Sequence, residues 1–450
     1  MEQLMGKHAI VIGAGIGGLL FSRVLASHFQ RVTVLERDSL PDDNQPRSGI
    51  PQGRHLHSLL AGGCRAMEGL LPGLVSDLRA GGAIEVLSGL QNMVERPGYD
   101  PFPRRHAGFS SYSMSRPLLE LCVRRRVQST ANITVQQEVA VERLTHANAV
   151  VTGVALRDGR QLDADFVIDA SGRGELTLRL LDDLGLPRPR ETTIGVDMHY
   201  ASVLFEIPAD AAYDWKSVVT FPKAPHSSKG LLMTMIEGGR WICAVGWRGD
   251  EAAPTDRESY VEWTRNLRTQ TAYKAIKDAT MIGKVVRFAF PESRHRHFVE
   301  LESLPSGVLP VADAICRFNP IYGQGMSVAA LEAEAFAGLL KAPEQDFGQL
   351  SRSFFEQADR IIEGPWNMAA LPDLLYPDTR GERPADLMNS LRFGQAFLEL
   401  AARDAAVHKL QLEIHTLLKP RSAMTGDPAL MQRILAVMSE TNQQAMVAAS

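Results

Sequence analysis

Five residues near the start of the chain have the types and spacing to hold a pyrophosphate and a ribose. Gly13, Gly15, Gly17 and Gly18 punctuate the run Gly13-Ala14-Gly15-Ile16-Gly17-Gly18, which follows an apolar stretch (His8 to Ile12) and precedes helical periodicity through Leu19, Leu20, Val24 and Leu25. Gly13 permits a tight turn, Gly15 lets a pyrophosphate approach the backbone, and Gly18 allows close helix–strand packing. The helix N-terminus adds N–H donors and the positive end of its dipole. Glu36 closes the next apolar run, Arg31 to Leu35, at the distance from the glycines where a carboxylate accepts ribose hydroxyls. This is a dinucleotide site, and these residues alone do not say which dinucleotide.

Two later segments narrow the choice. The first is Asp165-Phe166-Val167-Ile168-Asp169-Ala170-Ser171-Gly172-Arg173-Gly174; the second runs from Gly307 through Ala312-Asp313 to Phe318-Asn319-Pro320-Ile321-Tyr322-Gly323-Gln324-Gly325-Met326. With the glycine motif they stand in the order and spacing of the para-hydroxybenzoate hydroxylase type of FAD-dependent monooxygenase, which the chain resembles over about residues 8 to 340. Pro51-Gln52-Gly53-Arg54-His55-Leu56-His57 adds a similarity to the bacterial branch of polyketide and polyether epoxidases. The resemblance implies FAD as cofactor, NAD(P)H as electron donor, O2 and a small molecule as substrates, and oxygen transfer through a C4a-hydroperoxyflavin. It also implies that Asp169 serves the flavin site.

The late segment has its own physical reading. Asp313 at a strand end can accept a hydrogen bond from a ribityl hydroxyl, and Pro320 fixes a loop beside the flavin ring. Gly323 and Gly325 lack a Cβ, so the backbone can approach the ring closely. A helix starting near Met326 points its dipole at the flavin and stabilises the reduced anion. The chain departs from the family in reading Asp169-Ala170 for Asp-Gly and Ala312-Asp313 for Gly-Asp. The first departure leaves open whether NAD(P)H reduces the protein directly or a separate flavin reductase does; the second reads as a small change.

Other candidates carry a bland alternative. Arg116, opening a helix after Ser115, and Arg37 and Arg47, flanking the adenosine loop, can reach FAD phosphates or stand as solvated or paired arginines. His55 and His57 can line the flavin approach or bond loop backbone. Arg294-His295-Arg296-His297 reads as an anion site or a solvated charge run. Tyr112, Tyr200, Met233, Met235 and Trp247, with Met198, Phe205 and Phe221, are pocket or core. No general base stands out, which favours epoxidation slightly over phenol hydroxylation. A Trp-x-Trp-x-Ile-Pro halogenase signature is missing, since Trp241 and Trp247 are six apart.

The elements that must position these groups follow from periodicity. His8 to Ile12 and Arg31 to Leu35 are strands around a helix, a βαβ unit. Pro41 to Arg54 is a loop; Ser58 to Leu71 and Ser115 to Gln128 are helices, the second N-capped by Ser115. Strands follow at 133–137, 140–144, 150–157, 161–164 and Phe166 to Ala170, and from about residue 192 turn-linked strands suggest an antiparallel sheet walling a pocket. Val308 to Ala312 is a strand, Ser327 to Leu340 a helix, and the rest is helical. The fold class is α/β. A Rossmann-like FAD-binding domain in three parts (1–80, 115–191, 291–342) interleaves with a substrate domain (strands in 81–114, antiparallel sheet in 192–290) and a helical C-terminal segment (343–450).

At 450 residues, 45% hydrophobic and 22% charged, the chain has the composition of a globular protein. A net charge of −4 gives no reason to expect nucleic acid. Four scattered cysteines (Cys64, Cys122, Cys243, Cys316) form neither a zinc pattern nor a disulfide framework. No metal site is expected, no stretch is long enough to span a membrane, and the cytoplasm is the expected location. Two rivals to a monooxygenase remain: an FAD-dependent reductase or cyclase of terpenoid type, and a flavin redox sensor without turnover.

Overall fold

The protein's computed structural model describes residues 4–47, 51–57, 59–341 and 346–449; side chains of 51, 52 and 441–449 are outside the description. Parts of three expectations therefore lie outside the described residues: the loop at 48–50, the helix start at Ser58 and the domain boundary at 342/343.

Five short apolar strands form a parallel sheet in the order Val308–Pro310, Phe166–Asp169, Gly6–Ile12, Phe29–Leu35, Ile133–Gln136. Both faces are covered, so the strands lack polar alternation; Ala9, Ile10, Val11, Val34, Val167 and Ile168 are fully buried. Ile12 is in register with both Leu35 and Asp169, and Asp169 with Pro310. The glycine loop, Glu36, the 169–174 loop and the late segment therefore all leave the sheet at its carboxyl edge, where open α/β sheets bind ligands.

One face of this sheet is covered by the helices Ile16–Leu25, Ala61–Leu70, Arg116–Gln128, Gly325–Leu339 and the long Phe347–Asp373. Phe21, Phe336 and Phe354 meet there with ring centroids 5.4 to 5.8 Å apart. Each such buried ring contributes on the order of 2 kcal/mol. The opposite face is covered by a three-stranded antiparallel sheet (Val141–Ala147, Val150–Leu156, Gln161–Asp163) and the helix Glu175–Asp183. Ser115 caps its helix as the sequence predicts, its Oγ accepting from Leu118 N at 3.3 Å.

The second large sheet has seven strands, ordered Cys316–Arg317, Met281–Arg296, Glu191–Glu206, Arg240–Arg248, Gly230–Ile236, Ser217–Thr220, Asn92–Glu95. All pairings are antiparallel except the last, which is parallel. Its outer face is sealed by the helices Arg257–Arg265 and Thr271–Ile276, whose Tyr260 and Ile276 pack with Phe205, Trp215 and Trp241. Cys316–Arg317 lies within the late segment, between Asp313 and Pro320, and pairs with the end of Met281–Arg296, stitching the two sheets together. The boundary drawn at 290/291 falls inside that strand. The C-terminal helices Leu387–Arg403, Ala405–His415 and Pro428–Ala449 form a further core with Phe102.

Candidate active site

The glycine loop has the space a pyrophosphate needs. A Cβ on Gly15 would meet nothing within 4 Å, whereas one on Gly18 would lie 1.9 Å from Gly13 O and one on Gly13 2.6 Å from Ala170 O. Gly13 is also left-handed, with φ +100°. No side chain caps the Ile16–Leu25 helix, so its first N–H groups face the open side at Gly15. Glu36 sits beside this loop and accepts from Ala14 N at 2.8 Å and Asp38 N at 3.1 Å.

Glu36 begins a buried row of alternating charges. Arg47 binds it at 2.9 Å and reaches Glu120 at 3.3 Å, and Glu120 takes Arg116 Nε at 2.7 Å. Glu120, one helical turn after Arg116, is a link that the sequence analysis missed; the i,i+4 spacing was its only signal. Arg47 is thus the clamp on Glu36, and Arg116 keeps its two Nη groups free of hydrogen bonds among the described residues. Arg37 turns to solvent: its side chain is 69% exposed and its ion-pair partner is Asp38 at 4.0 Å. Nothing in a strand end tells which of two flanking arginines turns inward.

Asp169 is a correction. Fully buried, it accepts from Ser171 N and Oγ and from Thr177 N and Oγ1, four bonds of 2.6 to 3.2 Å. The carboxylate is saturated, so it shapes the 169–174 loop and the next helix and has no lone pair to offer a ligand. Asp313 is the opposite. It is open to the crevice and accepts no hydrogen bond among the described residues. The chain around that recess pushes its carboxyl pKa up, opposed by Arg317 and Arg116. A Cβ on Gly325 would lie 3.8 Å from Asp313 Oδ1, so the carboxylate sits at the start of the Gly325–Leu339 helix. Met326 is half-buried in its first turn.

Ala312, read as a small change, is a large one. It adopts φ +55°, the left-handed conformation that favours glycine. Its Cβ is 3.1 Å from where a Cβ on Gly17 would stand. Its N–H donates at 2.9 Å to Glu332, whose burial pushes the carboxyl up to about 8.

Pro320 stands exposed at the crest of a short turn, Pro320–Tyr322, closed by Gly323 at φ +66°. Asn319 holds that turn from inside. Its Oδ1 accepts from Ile321 N (3.3 Å) and Tyr200 Oη (2.6 Å), and its Nδ2 donates to Asp373 Oδ2 (3.0 Å). Asp373 in turn takes Arg248, which also donates to Thr379 Oγ1 at 2.9 Å and Val196 O at 3.1 Å. Burial raises Asp373 to about 6 against the pull of Arg248.

Of the proposed pocket side chains only Tyr200 faces this turn. Met233, Met235 and Trp247 belong to the sheet's outer core, under the helices, and Tyr112 is bonded to Arg79 at 2.8 Å. Strand alternation decides the matter: Tyr200 shares its side with Met198, Ser202 and Leu204, and the cross-strand partners on that side are Gly246, Ala244 and Ile242. His55 is anchored there, Nδ1 to Ser202 Oγ at 2.8 Å, with its ring 5.6 Å from Phe288. His57 bonds His55 O at 2.9 Å and is held down to about 3, first by burial and then by Arg116.

Beyond Asp313 lies a cleft of about 530 Å³ lined by Arg173, Arg179, Arg188, Arg294, Arg296 and Arg317 with Glu175, Glu191 and Leu178. Arg296 is buried and committed to Glu191, Arg173 O and Ala314 O. Burial lowers Arg317, and the neighbouring Arg294 and Arg173 add to the shift while Asp313 opposes it. The run 294–297 is therefore not a solvated face; its arginines line this cleft, and the rings of His295 and His297 meet with centroids 4.2 Å apart and planes tilted by 43°.

A parallel sheet with an open glycine loop, a ribose carboxylate and a free aspartate at a second helix start define a dinucleotide-binding flavoprotein. The chain belongs to the family described as FAD binding domain, matched over residues 7–349. It is 32% identical over 398 residues to Protein Rv3254 of Mycobacterium tuberculosis, covering 83% of this chain and 82% of that protein. Its fold is shared with the flavin-dependent brominase Bmp2 (13% identity, TM-score 0.67, 98% of this chain and 100% of that one). It is also shared with PqsL, described as a probable FAD-dependent monooxygenase from Pseudomonas aeruginosa (19% identity, TM-score 0.59, 82% and 97%). The residues present fit FAD: Gly15 for the pyrophosphate, Glu36 for the adenosine ribose, Asp313 for the ribityl chain, and Pro320, Gly323 and Gly325 for the ring. Among the described residues no helix is long and apolar enough to cross a membrane.

Proposed function

We propose that the protein is an FAD-dependent monooxygenase that places one oxygen atom of O2 on a small, largely apolar metabolite, by epoxidation or hydroxylation. The observation that carries this reading is the inner face of the seven-stranded sheet. Its apolar residues stand opposite the Pro320–Tyr322 turn, joined to it through Tyr200 and Asn319. Bound FAD supplies the redox and oxygen-activating chemistry. The chain's part is to orient the cofactor with Glu36 and Asp313, to hold an apolar substrate against the sheet, and to keep water out. PqsL, a structural neighbour solved with 2-aminobenzoylacetate, supports such chemistry on this fold. The similarity to epoxidases in the 51–57 loop favours an alkene substrate.

The arginine cleft supports direct reduction by NAD(P)H over a separate reductase. Six arginines against two glutamates beside Asp313 form an electrostatic match for a phosphate-bearing donor. The test is incubation of the FAD-loaded protein with NADPH, 18O2 and a library of apolar alkenes and aromatics, read by mass spectrometry. One 18O per product molecule is the expected result. Saturation of a double bond or cyclisation without label would replace the proposal with the reductase or cyclase reading. NADPH reduction of the flavin with no altered compound would replace it with the sensor reading.

A further inference from the structure

The inner face of the seven-stranded sheet is incompletely filled. Ala201, Val203, Cys243 and Val245, which point outward, are at most 3% exposed. Leu204, Leu232, Ala244 and Phe288, which point inward from the middle of the same sheet, are only half-buried. Small residues widen the gap: Gly246 pairs with Tyr200, and Ala244 with Ser202. Space against apolar walls inside a covered sheet is room for a ligand.

One polar group in that space has no partner. His55 is 7% exposed, and its Nε2 is buried without a hydrogen bond. Its Nδ1 meets Ser202 Oγ at 2.8 Å. Burial holds the ring down to about 4, so at neutral pH it carries a single proton. Counting groups settles which nitrogen carries it. Ser202 Oγ has no other partner among the described residues, so its hydrogen satisfies Nδ1 and leaves Nε2–H as one unsatisfied donor. The other tautomer would strand both the serine hydrogen and the Nε2 lone pair. A buried donor left open costs about 1–3 kcal/mol, which a fold retains when a ligand uses it.

We propose that His55 Nε2–H is the donor that receives the substrate in this space, and that the substrate joins an apolar body to an acceptor oxygen such as a carbonyl. The name substrate rests on the oxygenase reading; the donor and its pocket do not. Ser202 is a positioning residue that fixes the tautomer. The test uses the oxidised, FAD-loaded full chain, with neither electron donor nor turnover, and reads binding by the flavin difference spectrum. The probes are acetophenone and 2-acetonaphthone, against the isosteric hydrocarbons α-methylstyrene and 2-isopropenylnaphthalene.

The ketones should bind about tenfold tighter than the matched hydrocarbons. His55→Leu should abolish that preference without weakening the hydrocarbons, and His55→Gln should restore part of it. The ligand-free Tm of His55→Leu combined with Ser202→Ala should equal or exceed the wild type's, because the open donor and the hydroxyl that would lose its acceptor are removed together. Equal affinity for ketone and hydrocarbon, or no ketone binding up to its solubility, overturns the proposal. So does a His55→Leu variant that loses FAD or shifts the ligand-free flavin spectrum, or a His55→Leu/Ser202→Ala variant that melts several degrees lower, since the imidazole then serves the flavin or the fold. A protein that passes this test yet gives no labelled product keeps the His55 site and loses the oxygenase reading.

Discussion

At Gly15 the absence of a side chain leaves open the space that the pyrophosphate of the proposed FAD site would occupy. Gly15→Asp places both bulk and negative charge there. Flavin absorbance of the purified variant should fall to background while far-UV circular dichroism is retained, and normal FAD content would remove the assignment. Asp313 offers a carboxylate with no hydrogen bond from the described chain, so Asp313→Ala should cost ligand affinity with little cost to the fold. FAD Kd should rise at least tenfold, as for one hydrogen bond to a charged group, read by fluorescence quenching. Glu332 is a different kind of buried acid. Its folded pKa of about 8 lies above the unfolded value, so the folded state holds the proton longer. The associated stability is present at low pH and is lost as pH rises toward 8, by about 1.4 kcal/mol per pH unit while only the unfolded form ionises. Between pH 7 and 8.5 the Tm of Glu332→Gln should therefore fall less than that of the wild type; parallel slopes would show that Glu332 does not titrate there.

Between elements, one close approach is where the Ile16–Leu25 helix passes the turn that carries Ala312. Gly17 has no Cβ and Ala312 has one in a left-handed backbone, so the methyl of Ala312 occupies the gap that Gly17 leaves. Gly17→Ala should destabilise by about 1–3 kcal/mol through overpacking, and Ala312→Gly should recover most of that loss. Urea unfolding of the four species in a double-mutant cycle reads the coupling; additive effects would mean that the two positions do not touch. This contact shows where the sequence was legible and where it was not. The glycine turn, the buried parallel strands and the long helices were readable because each rests on a local signal: clustered glycines, short continuous apolar runs and a 3.6-residue period. The consequence of alanine before Asp313 was not, since it depends on a φ angle that no pattern displays. The choice between pocket and core was open for a related reason. Met233, Met235 and Trp247 are as apolar as Tyr200's neighbours, and only the register of Tyr200 against Gly246 shows which side of the sheet faces the turn. Glu120, Asn319 and Asp373 are polar residues whose partners lie across the fold, beyond the reach of local periodicity.

Across the whole molecule one buried cluster ties three regions together. Asn319 belongs to the cofactor turn, Tyr200 and Arg248 to the seven-stranded sheet, and Asp373 to the end of the long C-terminal helix. The Arg248 guanidinium also lies 4.4 Å from the Tyr376 ring centroid, which shields the pair from water. Arg248→Met would leave the Asp373 carboxylate buried beside Tyr200, Tyr322 and Tyr376 with no cation, and removing one partner of a buried pair costs about 3–5 kcal/mol. Replacing both members, Arg248→Met with Asp373→Leu, should recover much of that stability, because the charge is removed along with its partner. The recovered fold should still retain FAD less well, since Asn319 Nδ2 has lost its acceptor and the Pro320–Tyr322 turn its anchor. The pH dependence separates charge from shape. Asp373 already titrates near 6 with Arg248 present, above its unfolded value, so its ionised form is the less stable one in the fold. Without Arg248 the folded pKa rises further, and the stability lost as pH increases is lost over a wider window. The Tm deficit of Arg248→Met should therefore be large at pH 7.5 and shrink by pH 5, where Asp373 takes up a proton. A deficit independent of pH would mean that Arg248 supports the junction by packing over Tyr376, and that the buried charge pair is not what couples the cofactor turn to the C-terminal helix.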